Sequence, residues 1–120
     1  MRKLLILPVL TLGIGGAAAL PAFAHHGWSS YDAATVLTIE APILTAKYQN
    51  PHSEISLEDE AGKEWHVILA PVSRMERRGI KKDALAVGKS VTVVGYASRT
   101  VEAEMRAERI VLDGKTIELR

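Results

Sequence analysis

The sequence predicts a mostly β domain, a small barrel of five to six strands with one short helix, carried behind a signal helix that is cut away. Three observations lead there. Apolar and polar residues alternate at period two in several segments. Turn signals at Asn50-Pro51, Glu60-Ala61-Gly62 and Asp113-Gly114 separate those segments, and only Pro71 to Gly79 has the punctuation of a helix.

The first 24 residues read as a signal peptide. Met1-Arg2-Lys3 is a charged start, Leu4 to Leu20 is an apolar run, and Ala22-Phe23-Ala24 is a small-x-small cleavage site. The uncharged stretch from Leu4 to Ala24 is nearly long enough for an uncleaved anchor. Gly13, Gly15, Gly16 and the Ala22/Ala24 pair favour cleavage, which leaves no stable membrane anchor and predicts a periplasmic protein beginning at His25.

Residues 25–35 show no period, and Trp28 and Tyr31 are apolar enough to dock this segment on a body. Residues 36–120 suffice for one domain. From Val36 to Tyr48, Leu37, Ile39, Ala41 and Ile43 alternate with Thr38, Glu40 and Pro42, predicting a long first strand with an edge, bulge or bend at Pro42. Such a strand can curve enough to serve two sheets.

Asn50-Pro51-His52 is a turn, because Pro51 holds its own φ and biases Asn50 away from helix. Ile55 and Leu57 then face Val67 and Trp65 if Asp59 pairs with Lys63 around a three-residue loop ending in Gly62. Pro71 and Gly79 bound the helix, and Lys82-Asp83-Ala84-Leu85 is turn-like. Ser90 to Tyr96 is apolar on both faces and reads as a central strand. Glu104 to Leu112 follows, and Asp113-Gly114 turns the chain toward Ile117 and Leu119. Three strands, a helix and two or three more strands fit an OB-like barrel.

Composition narrows the chemistry. The absence of cysteine excludes disulfides, thiol nucleophiles, Cys-based zinc sites and a lipoprotein anchor. Of 15 Lys and Arg, Arg2 and Lys3 leave with the leader, so 13 remain against 14 Asp and Glu. That balance gives no drive toward nucleic acid. No Ser-His-Asp arrangement, phosphate loop or metalloprotease signature is legible, so an enzyme has the least support.

His25-His26-Gly27-Trp28-Ser29, Asn50-Pro51-His52, Trp65-x-Val67-x-Leu69, Arg77-Arg78-Gly79 and Gly88-x-x-Val91-Thr92-Val93-x-Gly95 together resemble a family of small exported bacterial proteins known only as the domain of unknown function DUF6152. The resemblance covers essentially all of the chain after the leader, and implies export and a single small β domain. It implies no activity. The last of those motifs also resembles the fourth strand of periplasmic OB-fold proteins, a likeness of fold alone.

The candidate site is built on histidine. An N-terminal His25 would offer its α-amino group and its imidazole, a chelate suited to a divalent metal, copper above all. His52, in a rigid turn, is the expected third ligand, with His26 as helper or alternative. The plain counter-reading is a frayed, solvated terminus. His66 stands opposite Ser56 in the predicted hairpin, on the order of 13 Å from His52, and is expected to be a surface residue. Trp28 and Asn50 are candidates for ligand contact or for docking, with docking preferred for Trp28 and turn closure for Asn50. Arg74, Arg77 and Arg78 share a helix face, and with Lys81 and Lys82 could meet anionic lipid headgroups or an acidic partner; the preferred reading is a solvated surface balanced by the acidic residues of the hairpin. Two functions follow: a periplasmic protein that binds a divalent metal, Cu(II) favoured, or a non-metal module for a peptide, glycan or protein partner of the cell envelope.

Overall fold

The computed structural model describes residues 27–120; the predicted leader, His25 and His26 lie outside the described residues. A single 3-10 turn, Trp28–Ser30, leads into seven strands: β1 Tyr31–Pro42, β2 Thr45–Lys47, β3 Glu54–Glu58, β4 Glu64–Ile68, β5 Ser90–Ser98, β6 Glu104–Leu112 and β7 Lys115–Glu118. The helix α1, Val72–Arg77, and a 3-10 turn at Lys82–Leu85 join β4 to β5. The expectation of a mostly β domain with one short helix is met.

One sheet holds all seven strands in the order β1-β5-β6-β4-β3-β2, with β7 paired to β6. β4 and β6 run parallel and the other pairs antiparallel. The expected barrel is corrected to an open sheet, because no ladder joins its two ends. Those ends are nevertheless consecutive in the chain. Pro42 has no N–H to extend the ladder. Just beyond it Ile43 N–H donates to Lys89 O (2.9 Å), and Leu44 N–H donates to Ser56 O (2.9 Å). The first strand therefore changes partner from β5 to β3 within two residues, at the bend the proline predicted.

It also starts earlier than Val36. Tyr31 pairs with Ser98 and Val36 with Tyr96, so residues 32–35 bulge from the ladder. Asp32 stabilises that bulge, its carboxylate accepting from Ala34 N–H (3.0 Å) and the Thr35 hydroxyl (2.7 Å).

The β3–β4 hairpin has the predicted register, Leu57 opposite Trp65 and Ile55 opposite Val67. Gly62 takes φ +80°, which the last position of the loop requires. Asp59 locks this loop: its carboxylate accepts from Ala61 N–H (3.0 Å), Lys63 N–H (2.9 Å) and the Trp65 indole N–H (2.9 Å). α1 closes as a Schellman motif, with Gly79 N–H on Glu76 O (2.9 Å) and Ile80 N–H on Met75 O (2.9 Å). Met75 and Ile80 are both fully buried, the apolar pair that accompanies this cap. At the β6–β7 turn Asp113 and Gly114 both have positive φ, as a two-residue hairpin demands.

The core lies on one face of the curled sheet. Ile55, Leu57, Val67, Val93, Met105 and Ile110 point into it, and α1 and the second 3-10 turn contribute Met75 and Leu85. β5 lies between β1 and β6, the central place its two apolar faces predicted.

Candidate functional site

Because Met105 and Ala107 enter the core, Glu104 and Arg106 stand on the opposite face of β6. The register sets Tyr96 of β5 and Ile68 of β4 opposite Arg106, and His66 opposite Glu104. This outer face receives the start of the described chain. The Trp28 ring lies over Arg106, with the guanidinium carbon 4.4 Å from the ring centroid. The Arg120 guanidinium is 4.7 Å from the same centroid, and Tyr96 meets the indole edge-on at 6.1 Å. Trp28 is half-buried, held against this face by its ring contacts.

Arg106 is only 5 % exposed, an unusual place for a guanidinium. Burial lowers its pKa, Tyr31 opposes that shift, and Arg74 and Arg120 add to it by like-charge repulsion. Arginine still keeps its charge at any ordinary pH. Arg106 Nη2 lies 3.4 Å from His52 Nε2, a long contact in which only the guanidinium can donate.

His52 owes its position to its neighbours. Ser53 N–H donates to Ala70 O, and Leu69 N–H donates to Ser53 O, both at 2.8 Å, so the turn is stitched to the end of β4. Asn50 Oδ1 accepts from Val72 N–H (3.0 Å), the first amide of α1. That bond satisfies a helix-end donor across 22 residues of chain.

A second group of polar residues adjoins the first. Tyr31 is buried, and its hydroxyl donates to Glu104 Oε1 at 2.7 Å. Burial and the neighbouring Glu104 push its phenol well above the ordinary tyrosine range. His66 is exposed between two carboxylates, with Nε2 3.0 Å from Glu54 and Nδ1 3.5 Å from Glu104. These partners agree with a surface role for His66 and do not join it to His52. Among the described residues no three His, Asp or Glu side chains cluster closely enough to hold a metal ion.

Arg77 and Arg78 are exposed and Arg74 half-buried, in keeping with a solvated face, and with Arg120 they line an open groove of about 350 Å³ beside Trp28. Lys81 and Lys82 are not part of its lining. Among the described ion pairs, none joins these arginines to the acidic hairpin expected to balance them. A larger hollow of about 490 Å³ is lined by Thr38, Ile39, Glu40, Asp59, Glu60 and Ala61, with neither histidine nor an aromatic ring among the described residues of its lining. Sequence reasoning passed over Arg106 and Arg120. The available signal was parity, since Arg106 stands between the core residues Met105 and Ala107.

The class is thus a small, mostly β domain whose outer face gathers arginine, aromatic and histidine side chains where the described chain begins. Residues 15–106 match the model of a family of unknown function, DUF6152, and the chain belongs to that family. No curated protein matches it.

Proposed function

We propose that this is an exported periplasmic protein that binds a divalent metal, Cu(II) in preference, through the amine and imidazole of an N-terminal His25 together with His52, with His26 as an alternative ligand. The observation that supports this reading is the position of Trp28. Its ring packs on Arg106, and Arg106 in turn touches His52. His26 is two residues from Trp28 and His25 three, a span of at most about 11 Å of extended chain.

The donor set is chemically coherent. Two nitrogens from residue 25 and one imidazole make an N3 set, which suits the tetragonal preference of Cu(II). The ordinary pKa values of an α-amino group and an imidazole lie close to neutral pH, so such a pair need displace little proton. Arg106 sets a condition. Its guanidinium faces His52 Nε2 at 3.4 Å, so a metal taking the Nε2 lone pair must displace that contact. The test is metal content of protein purified from its own periplasm without a histidine tag, then copper titration of wild type and His52→Ala. About one copper per chain, and affinity lower by tenfold or more in His52→Ala, supports the site. Equal affinities remove His52 from it.

The arginine-lined groove favours a second reading, a non-metal module that takes a peptide, glycan or protein partner of the envelope. Partners retained from periplasmic extract with the metal chelated would support that reading.

A further inference from the structure

We propose that the groove lined by Arg74, Arg77, Arg78 and Arg120 is a binding site for a phosphate-bearing anion, separate from any metal held by the histidines. Among the described residues its lining consists of these four side chains. Two arginines outside the groove are matched by carboxylates: Arg99 lies 3.7 Å from Asp32, and Arg109 lies 3.0 Å from Glu118. Among the described ion pairs, no carboxylate is matched to any of the four groove arginines. Four like charges around one hollow repel one another unless an anion enters.

Two of the four are positioned in advance. Arg74 Nη1 donates to Leu119 O at 3.3 Å, and Arg120 rests over the Trp28 ring. Fixing side chains before the ligand arrives removes much of the entropic cost of binding it. The buried Arg106 senses both, since Arg74 and Arg120 repel its charge.

The choice of residue identifies the ligand chemistry. Among the described residues every cation of the groove is an arginine, although Lys81 and Lys82 follow closely in the chain. Guanidinium presents a planar fork that grips two oxygens of one oxyanion, whereas ammonium is a point charge. A carboxylate brings one charge and two oxygens, too few for four forks. A phosphate monoester or pyrophosphate brings more of both, either free or as a lipid headgroup.

The experiment uses the purified full-length exported protein, treated with EDTA, at low salt. Calorimetry with inorganic pyrophosphate is run beside co-sedimentation with phosphatidylcholine vesicles containing phosphatidic acid. The variants are Arg77→Ala/Arg78→Ala and the charge-preserving Arg77→Lys/Arg78→Lys; these positions are exposed, and thermal melts check that the fold is kept. Saturable binding of one pyrophosphate is expected, weakened about tenfold or more in the alanine pair and severalfold in the lysine pair. Vesicle binding that pyrophosphate competes away assigns a headgroup to the same groove, and pyrophosphate binding without vesicle binding assigns a soluble ligand. Absence of binding in both arms overturns the proposal. So does a lysine pair that binds as wild type does, because undirected charge would then be enough.

Discussion

Replacing Gly95 with alanine tests how the outer face is held together. Gly95 sits at the bulge of β5, opposite Ala107 of β6. A Cβ built there would lie 2.0 Å from Arg106 O, 2.7 Å from Arg106 C and 2.8 Å from Ala107 Cα. All three atoms are backbone, so no rotamer relieves the clash. Restoring ordinary contact from 2.0 Å requires the strands to part by roughly 1.4 Å beside the bulge. Losing two ladder hydrogen bonds at about 1 kcal/mol each, and loosening Met105 and Ala107 beneath them, sums to about 3–5 kcal/mol. A domain of this size has only about 5–15 kcal/mol in total. In urea, followed by circular dichroism, the midpoint of Gly95→Ala should fall by roughly 2 M or the protein should fail to fold. Gly114→Ala is the control: it also meets an unfavourable backbone, φ +74°, but has open space around it. It should cost only about 1 kcal/mol. If Gly95→Ala proves no worse than Gly114→Ala, the close approach of β5 and β6 does not govern stability.

Other perturbations separate the parts of the account. Trp28→Ala removes the ring shared by Arg106 and Arg120 and should cost about 1–3 kcal/mol, with faster proteolysis between residues 27 and 31; unchanged cleavage would contradict docking through the indole. Asn50→Ala leaves the first amide of α1 without its acceptor and should lower stability by about 0.5–1 kcal/mol in a urea melt. The Trp65 indole, then the Lys63 amide, hold the Asp59 carboxyl below the usual aspartate value of 3.8. A depressed folded pKa gives stability that is fully present above 3.8 and is lost as pH falls through the lower folded value. Asp59→Asn should therefore flatten the acid limb of the stability profile, as followed by tryptophan fluorescence.

Much of this fold could be read from the chain because its signals are local. The Asp59–Lys63 loop, the Asp113-Gly114 turn and the Gly79 stop each specify a backbone conformation within a few residues. Pro42 announced the change of partner in the first strand for the same reason. The early start of β1 at Tyr31 was hidden because it depends on Ser98, 67 residues away, and on a bulge held by Asp32. Barrel closure was a question of ladder geometry, to which composition does not speak. At the site, His52 and Trp28 stood out by residue type. Arg106 did not, since its burial comes from Trp28 folding over it, and Arg120 lies 46 residues from Arg74 yet lines the same groove.

The central claim is a metal held by a free amine at residue 25, and a blocked terminus tests it most directly. Cu(II) is titrated into protein beginning at His25 and into the same protein carrying one extra alanine before it, with electron paramagnetic resonance to count nitrogen ligands. A three-nitrogen spectrum is expected for the first and, for the second, affinity lower by about a hundredfold with a different ligand set. Identical affinities and spectra would contradict the claim.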